Sequence, residues 1–147
     1  MPSLRNRAGR ASLIQRLQKL TPTAQPQWGT FNAPRMICHL GDTLAMALGD
    51  LPTKSVGKKA FHHFPLKHLF LYVLPMSKGL PTAPELLSSP PSTFEADRQR
   101  AVELIERLAA APHRLGAEHP FFGPLTNEEW NHLQGKHIYH HLRQFGL

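Results

Sequence analysis

The chain has 147 residues, one cysteine, 10 histidines and a formal net charge of +7. That length suits one compact domain able to bury a core, and Cys38 alone excludes an intrachain disulfide. No run approaches the ~18 apolar residues of a membrane-spanning helix, and no secretory signal pattern occurs, so a cytoplasmic protein with no membrane partner is expected.

The charge is uneven. Residues 1–84 carry eleven Lys/Arg and two Asp/Glu, a balance of +9, whereas residues 85–147 carry six and eight, a balance of −2. A basic half permits contact with nucleic acid or an anionic surface. The bases are scattered, however, without interleaved aromatics or a nucleic-acid motif, so a solvated face is expected and a nucleic-acid partner is not.

Five segments carry helical signals and none shows strand alternation. Residues 1–8 read as a flexible terminus. The first helix is expected over about 9–20, where Leu13, Ile14, Leu17 and Leu20 have the spacing of a packed face and Pro22 ends it. The second, APRMICHLGDTLAMALGD, carries Pro34 in its first turn and Gly49 near its end. The third, PLKHLFLYVL, is a short accessory helix between Pro65 and Pro75. A loop with five prolines, PMSKGLPTAPELLSSPPS, follows it, and long ordered loops are often functional.

The fourth helix, STFEADRQRAVELIERLAAA, opens on a capping box expected from Ser92 and Glu95. In the fifth, Thr126 and Glu129 form the box, Leu125 and Trp130 the hydrophobic staple, and Gly146 the left-handed terminator. The fold expected is all-α, with four principal helices in a bundle and one short accessory helix.

The last helix closes on GKHIYHHLRQFGL, with three histidines in thirteen residues. At about 100° per residue, with His137 at zero, Leu133, Trp130, Phe145, Ile138 and Leu142 define an apolar arc centred near 50°. His137 and His141 fall inside the arc. His140 lies beyond its edge, and His132, Lys136 and Arg143 lie further round. Gln134 and Gln144 share the sector of the inward pair. Imidazoles at i and i+4 can converge on one cation. On the second helix His39 sits on a shoulder of the core face, with Thr43 about 40° from it, and can reach a neighbouring helix.

Three histidines from two helices would leave an open position for water or substrate, as catalytic metal sites do. HxxxH is also a common chance pattern, and buried histidines are often hydrogen-bonded core residues. From geometry alone both readings stay open. His62, His63, His68, His113, His119, His132 and His140 read as packing or solvated residues, and Cys38 as a packing residue.

MICHLGD early in the chain and KHIYHHLRQ late together resemble the DinB-like superfamily, also called DinB/YfiT-like metalloenzymes. LTPTAQPQWG, MSKGLPTAPELL and HPFFGPLTNEEWNHLQGKHIYHHLRQFG are similar to a bacterial branch of unassigned function. The resemblance spans most of residues 13–146. It implies a DinB-like four-helix bundle over 1–147 and a metal site of His39, His137 and His141. It also implies a divalent transition metal (zinc, nickel or iron) and chemistry on a small electrophile, as a thiol S-transferase or hydrolase. A low-molecular-weight thiol would then be a substrate, Asp42 an outer orienter of the site, and Gln144 a holder of substrate or water. A homodimer is compatible with such a bundle. The contrasting expectation is a non-enzymatic metal-binding or scaffold protein of a stress response.

Overall fold

The structure, a computed structural model, describes residues 3–112 and 117–147. It is mostly helical. Four long helices, α1 (Arg7–Lys19), α2 (Ala33–Ala47), α4 (Phe94–Ala110) and α5 (Asn127–Gln144), share one apolar core. The short α3 (Leu66–His68) continues as a π-helical turn, Leu69–Val73.

Each long helix begins on a side chain that accepts a backbone N–H which the helix itself leaves unpaired, worth about 1 kcal/mol apiece. Asn6 accepts from Gly9, Asn32 from Arg35, Thr93 from Ala96 and Thr126 from Glu129. Thr126 and Glu129 make the reciprocal box, and the Glu129 carboxylate also pairs with Lys67 Nζ at 2.9 Å. The α4 start differs from the Ser92–Glu95 box expected from sequence. Asp97 takes both Ser92 donors at 2.8 Å, so the cap falls one residue later, on Thr93.

Within the N-terminal stretch expected to be flexible, Leu4 and Arg5 are anchored, while residues 5–8 are exposed. Leu4 is fully buried, its N–H donates to the Asn131 carbonyl, and the Arg5 guanidinium grips Asn127 Oδ1. His113 lies outside the described residues.

A single amphipathic face was expected on α2, yet every residue from Met36 to Ala47 is buried. α4, α5, the 3-10 turn Pro84–Leu87 and the two-residue strand β1 (Glu118–His119) all pack against it. A helix covered on all sides must cover its polar residues too, and this puts His39, Asp42 and Thr43 inside the protein.

Two minimal strands, β1 (Glu118–His119) and β2 (Gly123–Pro124), pair antiparallel ahead of α5, where no strand was expected. Gly123 has φ +67, and a Cβ there would lie 2.7 Å from His62 Nδ1, so this turn requires glycine. At the far end of α5, Gly146 takes the left-handed conformation and Leu147 N–H closes on the Leu142 carbonyl. No helix among the described residues is long and apolar enough to cross a membrane.

Candidate metal centre

α5 leans on α2 along the face the helical wheel selects. Trp130, Ile138 and Leu142 are fully buried there, and Gln134 Nε2 donates across the contact to the Thr43 carbonyl at 3.2 Å. This polar strut lies one turn before His137 and fixes α5 in register against the turn of α2 that carries His39 and Thr43.

The packing brings His39, His137 and His141 together, with one ligand atom from each lying within 4.8 Å of the others. His137 Nε2 is 3.2 Å from His39 Nε2 and 3.0 Å from His141 Nε2. His39 and His141 are buried, while His137 is partly exposed. The Phe31 ring stacks on His39 at 5.1 Å and meets His141 edge-on at 5.7 Å, forming an apolar wall.

The opposite nitrogens determine what the convergent ones carry. His39 Nδ1 lies 3.0 Å from the Leu86 carbonyl, which can only accept, so Nδ1 carries the proton. The Thr43 hydroxyl donates to the Leu40 carbonyl and therefore offers its oxygen to His137 Nδ1, 3.4 Å away. Gln144 Nε2 donates to the Trp28 carbonyl at 2.7 Å, which turns Oε1 toward His141 Nδ1 at 2.8 Å. All three rings are thereby held as Nδ1–H tautomers, and three Nε2 lone pairs face one another.

Protonation does not relieve that arrangement. Burial, reinforced by the neighbouring imidazoles, holds His137 well below the ordinary histidine value and His141 at about 3. Burial also lowers His39, against the opposing pull of the Leu86 carbonyl. Three neutral imidazoles aimed at one point form the donor set that zinc, nickel or iron accepts. Three nitrogens each ~2.0–2.1 Å from one tetrahedral cation stand about 3.3–3.4 Å apart, close to the two short separations here. The cluster could hold a metal ion.

The two other residues singled out in the sequence have different placements. Asp42 is buried but bonds none of the three rings. It accepts from the Ser89 hydroxyl at 2.5 Å and from the Ser89 N–H, and faces Arg100 at 3.6 Å, anchoring the segment that presents Leu86. Gln144, expected to hold substrate or water, has both amide atoms engaged and orients His141 instead. Its own cradle is tight: Gln27 N–H donates to the Gln144 carbonyl, and a Cβ at Gly29 (φ +78) would stand 2.6 Å from Gln144 Nε2.

Thr43, Leu86 and Trp28 complete the shell and were not singled out. Thr43 left a signal, since the wheel places it in the sector of His39. Leu86 and Trp28 act through carbonyls, about which side-chain identity says nothing.

The remaining described histidines form no comparable group. His119 Nδ1 accepts from the Phe121 and Phe122 N–H groups, His132 packs on Tyr72, and His140 meets Trp28 edge-on. His62, His63 and His68 line a cavity of about 310 Å³ with Lys67, Tyr72 and Glu129. The Cys38 thiol faces Asp97 and is pushed up to about 11, chiefly by burial, which leaves it protonated at neutral pH.

The fold and the cluster together define a mostly helical protein with a largely buried three-histidine group that could bind metal. The chain belongs to the family described as protein of unknown function DUF1569, whose model matches residues 3–146. No curated protein and no solved structure matches it.

Proposed function

We propose that His39, His137 and His141 hold one divalent transition metal with an open position, and that the protein is a metal-dependent enzyme acting on a small electrophile, as a thiol S-transferase or hydrolase. One observation carries the metal: three carbonyl or hydroxyl acceptors force three Nε2 lone pairs to face each other without a proton between them. Lone pairs 3.0 and 3.2 Å apart repel in a buried site, and a cation turns that repulsion into ligation.

A metal held there would act as a Lewis acid and lower the pKa of a bound water or thiol, supplying a nucleophile near neutral pH. Three protein ligands leave room for such a group. Phe31 covers the two buried rings. The resemblance of MICHLGD and KHIYHHLRQ to the DinB-like superfamily picks the same three histidines and supports both the DinB-like four-helix bundle and the thiol or water chemistry.

The test is elemental analysis of untagged protein beside His137→Ala and His141→Ala. A near-stoichiometric transition metal in the parent, lost from variants whose helical circular dichroism is intact, is the expected result. A parent that takes up no zinc, nickel or iron on reconstitution overturns the metal reading. Turnover of electrophiles with water or low-molecular-weight thiols, abolished by the same variants, is expected of the loaded protein. Stoichiometric metal without turnover across that panel would leave a metal-binding scaffold.

A further inference from the structure

Every large hydrophobic side chain that is exposed among the described residues falls between Val56 and Leu80. Leu66, Leu69, Phe70 and Val73 recur at i, i+3, i+4 and i+7 and so form one stripe along α3 and its π-helical continuation, with Phe64 just ahead of it. Phe64 is 80% exposed and Val73 58%. A soluble surface scatters such residues singly, and a cluster of them marks an interaction site.

Within the segment's own sequence the charge is of one sign. Residues 51–84 contain five lysines and no Asp or Glu. Lys54, Lys58, Lys59 and Lys78 are exposed, and among the described residues none of their ammonium groups forms an ion pair, although the Lys54 backbone N–H donates to Glu85 Oε1 at 3.2 Å. Lys67 pairs with Glu129. The complement of this surface is therefore both apolar and anionic.

We infer that the 56–80 segment docks the protein peripherally on an anionic lipid surface, with Phe64, Leu69, Phe70 and Val73 entering the headgroup boundary and Lys58 and Lys59 facing the lipid charge. An interfacial amphipathic element needs an apolar stripe and basic neighbours, and it needs no groove. A partner helix would need an apolar groove, whereas the cavity beside α3 is lined mainly by His62, His63, Lys67, His68 and Glu129, with Phe64 and Tyr72 its only large apolar surfaces. A second copy of the chain would bring the same lysines face to face. Peripheral docking places no demand on helix length, so the absence of a membrane-spanning helix among the described residues does not conflict with it.

The attachment to the body is direct. Lys136 Nζ donates to the Phe70 and Leu71 carbonyls at 2.7 and 3.3 Å, and also to Leu74. α5, which carries His137, thus holds the docking segment as well. The proposal nonetheless stands whether or not the three histidines hold metal.

Flotation of the full chain with vesicles of phosphatidylcholine, with and without phosphatidylglycerol, tests it. Binding to the anionic vesicles, weakened by added salt, is expected. The double variant Phe64→Ser, Val73→Ser should bind about tenfold or more weakly, from the apolar area it withdraws, and Lys58→Gln with Lys59→Gln should also weaken binding. These positions are exposed, so unchanged circular dichroism and metal content will separate lost docking from lost folding. Failure to float with anionic vesicles at low salt overturns the inference. So does a serine double variant that binds as tightly as the parent. Self-association of the parent that the serine substitutions abolish would assign the stripe to a second copy and overturn it equally.

Discussion

Two regions of this protein are rich in histidine and use it in opposite ways. Where α2 meets α5, His39, His137 and His141 are gripped at Nδ1 by acceptors from three different segments, and their Nε2 atoms converge. Around α3, His62, His63 and His68 sit beside a polar cavity, and their ring neighbours are each other, Phe64 and Tyr72. The chemical group is the same in both places. In the first region packing and outer hydrogen bonds remove every choice of rotation and tautomer, and in the second they do not. A ligand set is made as much by what holds the backs of the rings as by the rings themselves.

If that is the distinction, removing an outer contact should make the first region behave like the second. Gln144→Ala deletes the acceptor of His141 Nδ1 and the link to the Trp28 carbonyl, while leaving all three imidazoles. Metal affinity is expected to fall by ~10–100-fold, the usual cost of an outer partner. A competition titration against a chromophoric chelator measures it. Gln144→Glu supplies an acceptor but loses the donor to Trp28, so it should recover part of the loss. Affinity unchanged in Gln144→Ala would mean that packing alone aims His141.

The seam between the two regions is Lys136, and its replacement is the next effect in size. Its ammonium sits buried against the last carbonyls of the π-helical turn, where a cation complements both the unpaired acceptors and the helix dipole. Burial lowers its pKa, and the hydrogen bonds to backbone offset the desolvation. Lys136→Met keeps the length of the side chain and strips the donors, leaving the part-buried Phe70 and Leu74 carbonyls without this partner. A loss of about 2 kcal/mol is expected in urea unfolding. Hydrogen exchange should rise over residues 69–75 and not over α2. A rise confined to α5 would show that Lys136 serves its own helix rather than the seam.

The legibility of the sequence divides along the same line. Caps, staples and apolar spacing are local chemistry, so the extents of α1, α2 and α5 were readable, and the α5 wheel placed His137 and His141 inward. Thr43 was visible in the right sector, and its role emerged only once the Leu40 carbonyl was seen to claim its proton. The rest came from segments distant in sequence. Leu86 reaches His39 because Ser89 is tied to Asp42, and Trp28 reaches Gln144 because Gly29 lets the chain pass close. Lys136 was read on the outer side of α5, correctly for an isolated helix. The chain after α3 then covers it, which no periodicity within α5 can report. The same blindness misplaced the Ser92 cap, where Asp97 outcompetes the backbone.

His119 gives the sharpest internal control, read as a slope in pH rather than as a single loss. It is a buried ring outside the cluster, packed on Phe122 at 4.9 Å and Trp130 at 5.5 Å, and burial holds it down to about 3. Its Nδ1 lone pair already receives two backbone N–H groups, so it needs no cation. In the unfolded chain the same ring titrates near ~6.5, and below that pH the unfolded state binds a proton that the folded state refuses. Stability must therefore be fully present above about pH 6.5 and fall as pH drops toward 3, by ~1.4 kcal/mol per pH unit for each such ring. His119→Gln removes one of these protons and should flatten the stability profile of metal-free protein between about pH 6 and pH 4 by that amount, read from urea midpoints. The cluster rings add to the slope with the same sign, and because His137 and His141 are already neutral in the metal-free fold, metal should add stability over this range rather than steepen the slope. A stability gain on adding metal that Gln144→Ala reduces and His119→Gln leaves in place would separate a histidine satisfied by its own backbone from histidines that wait for an ion.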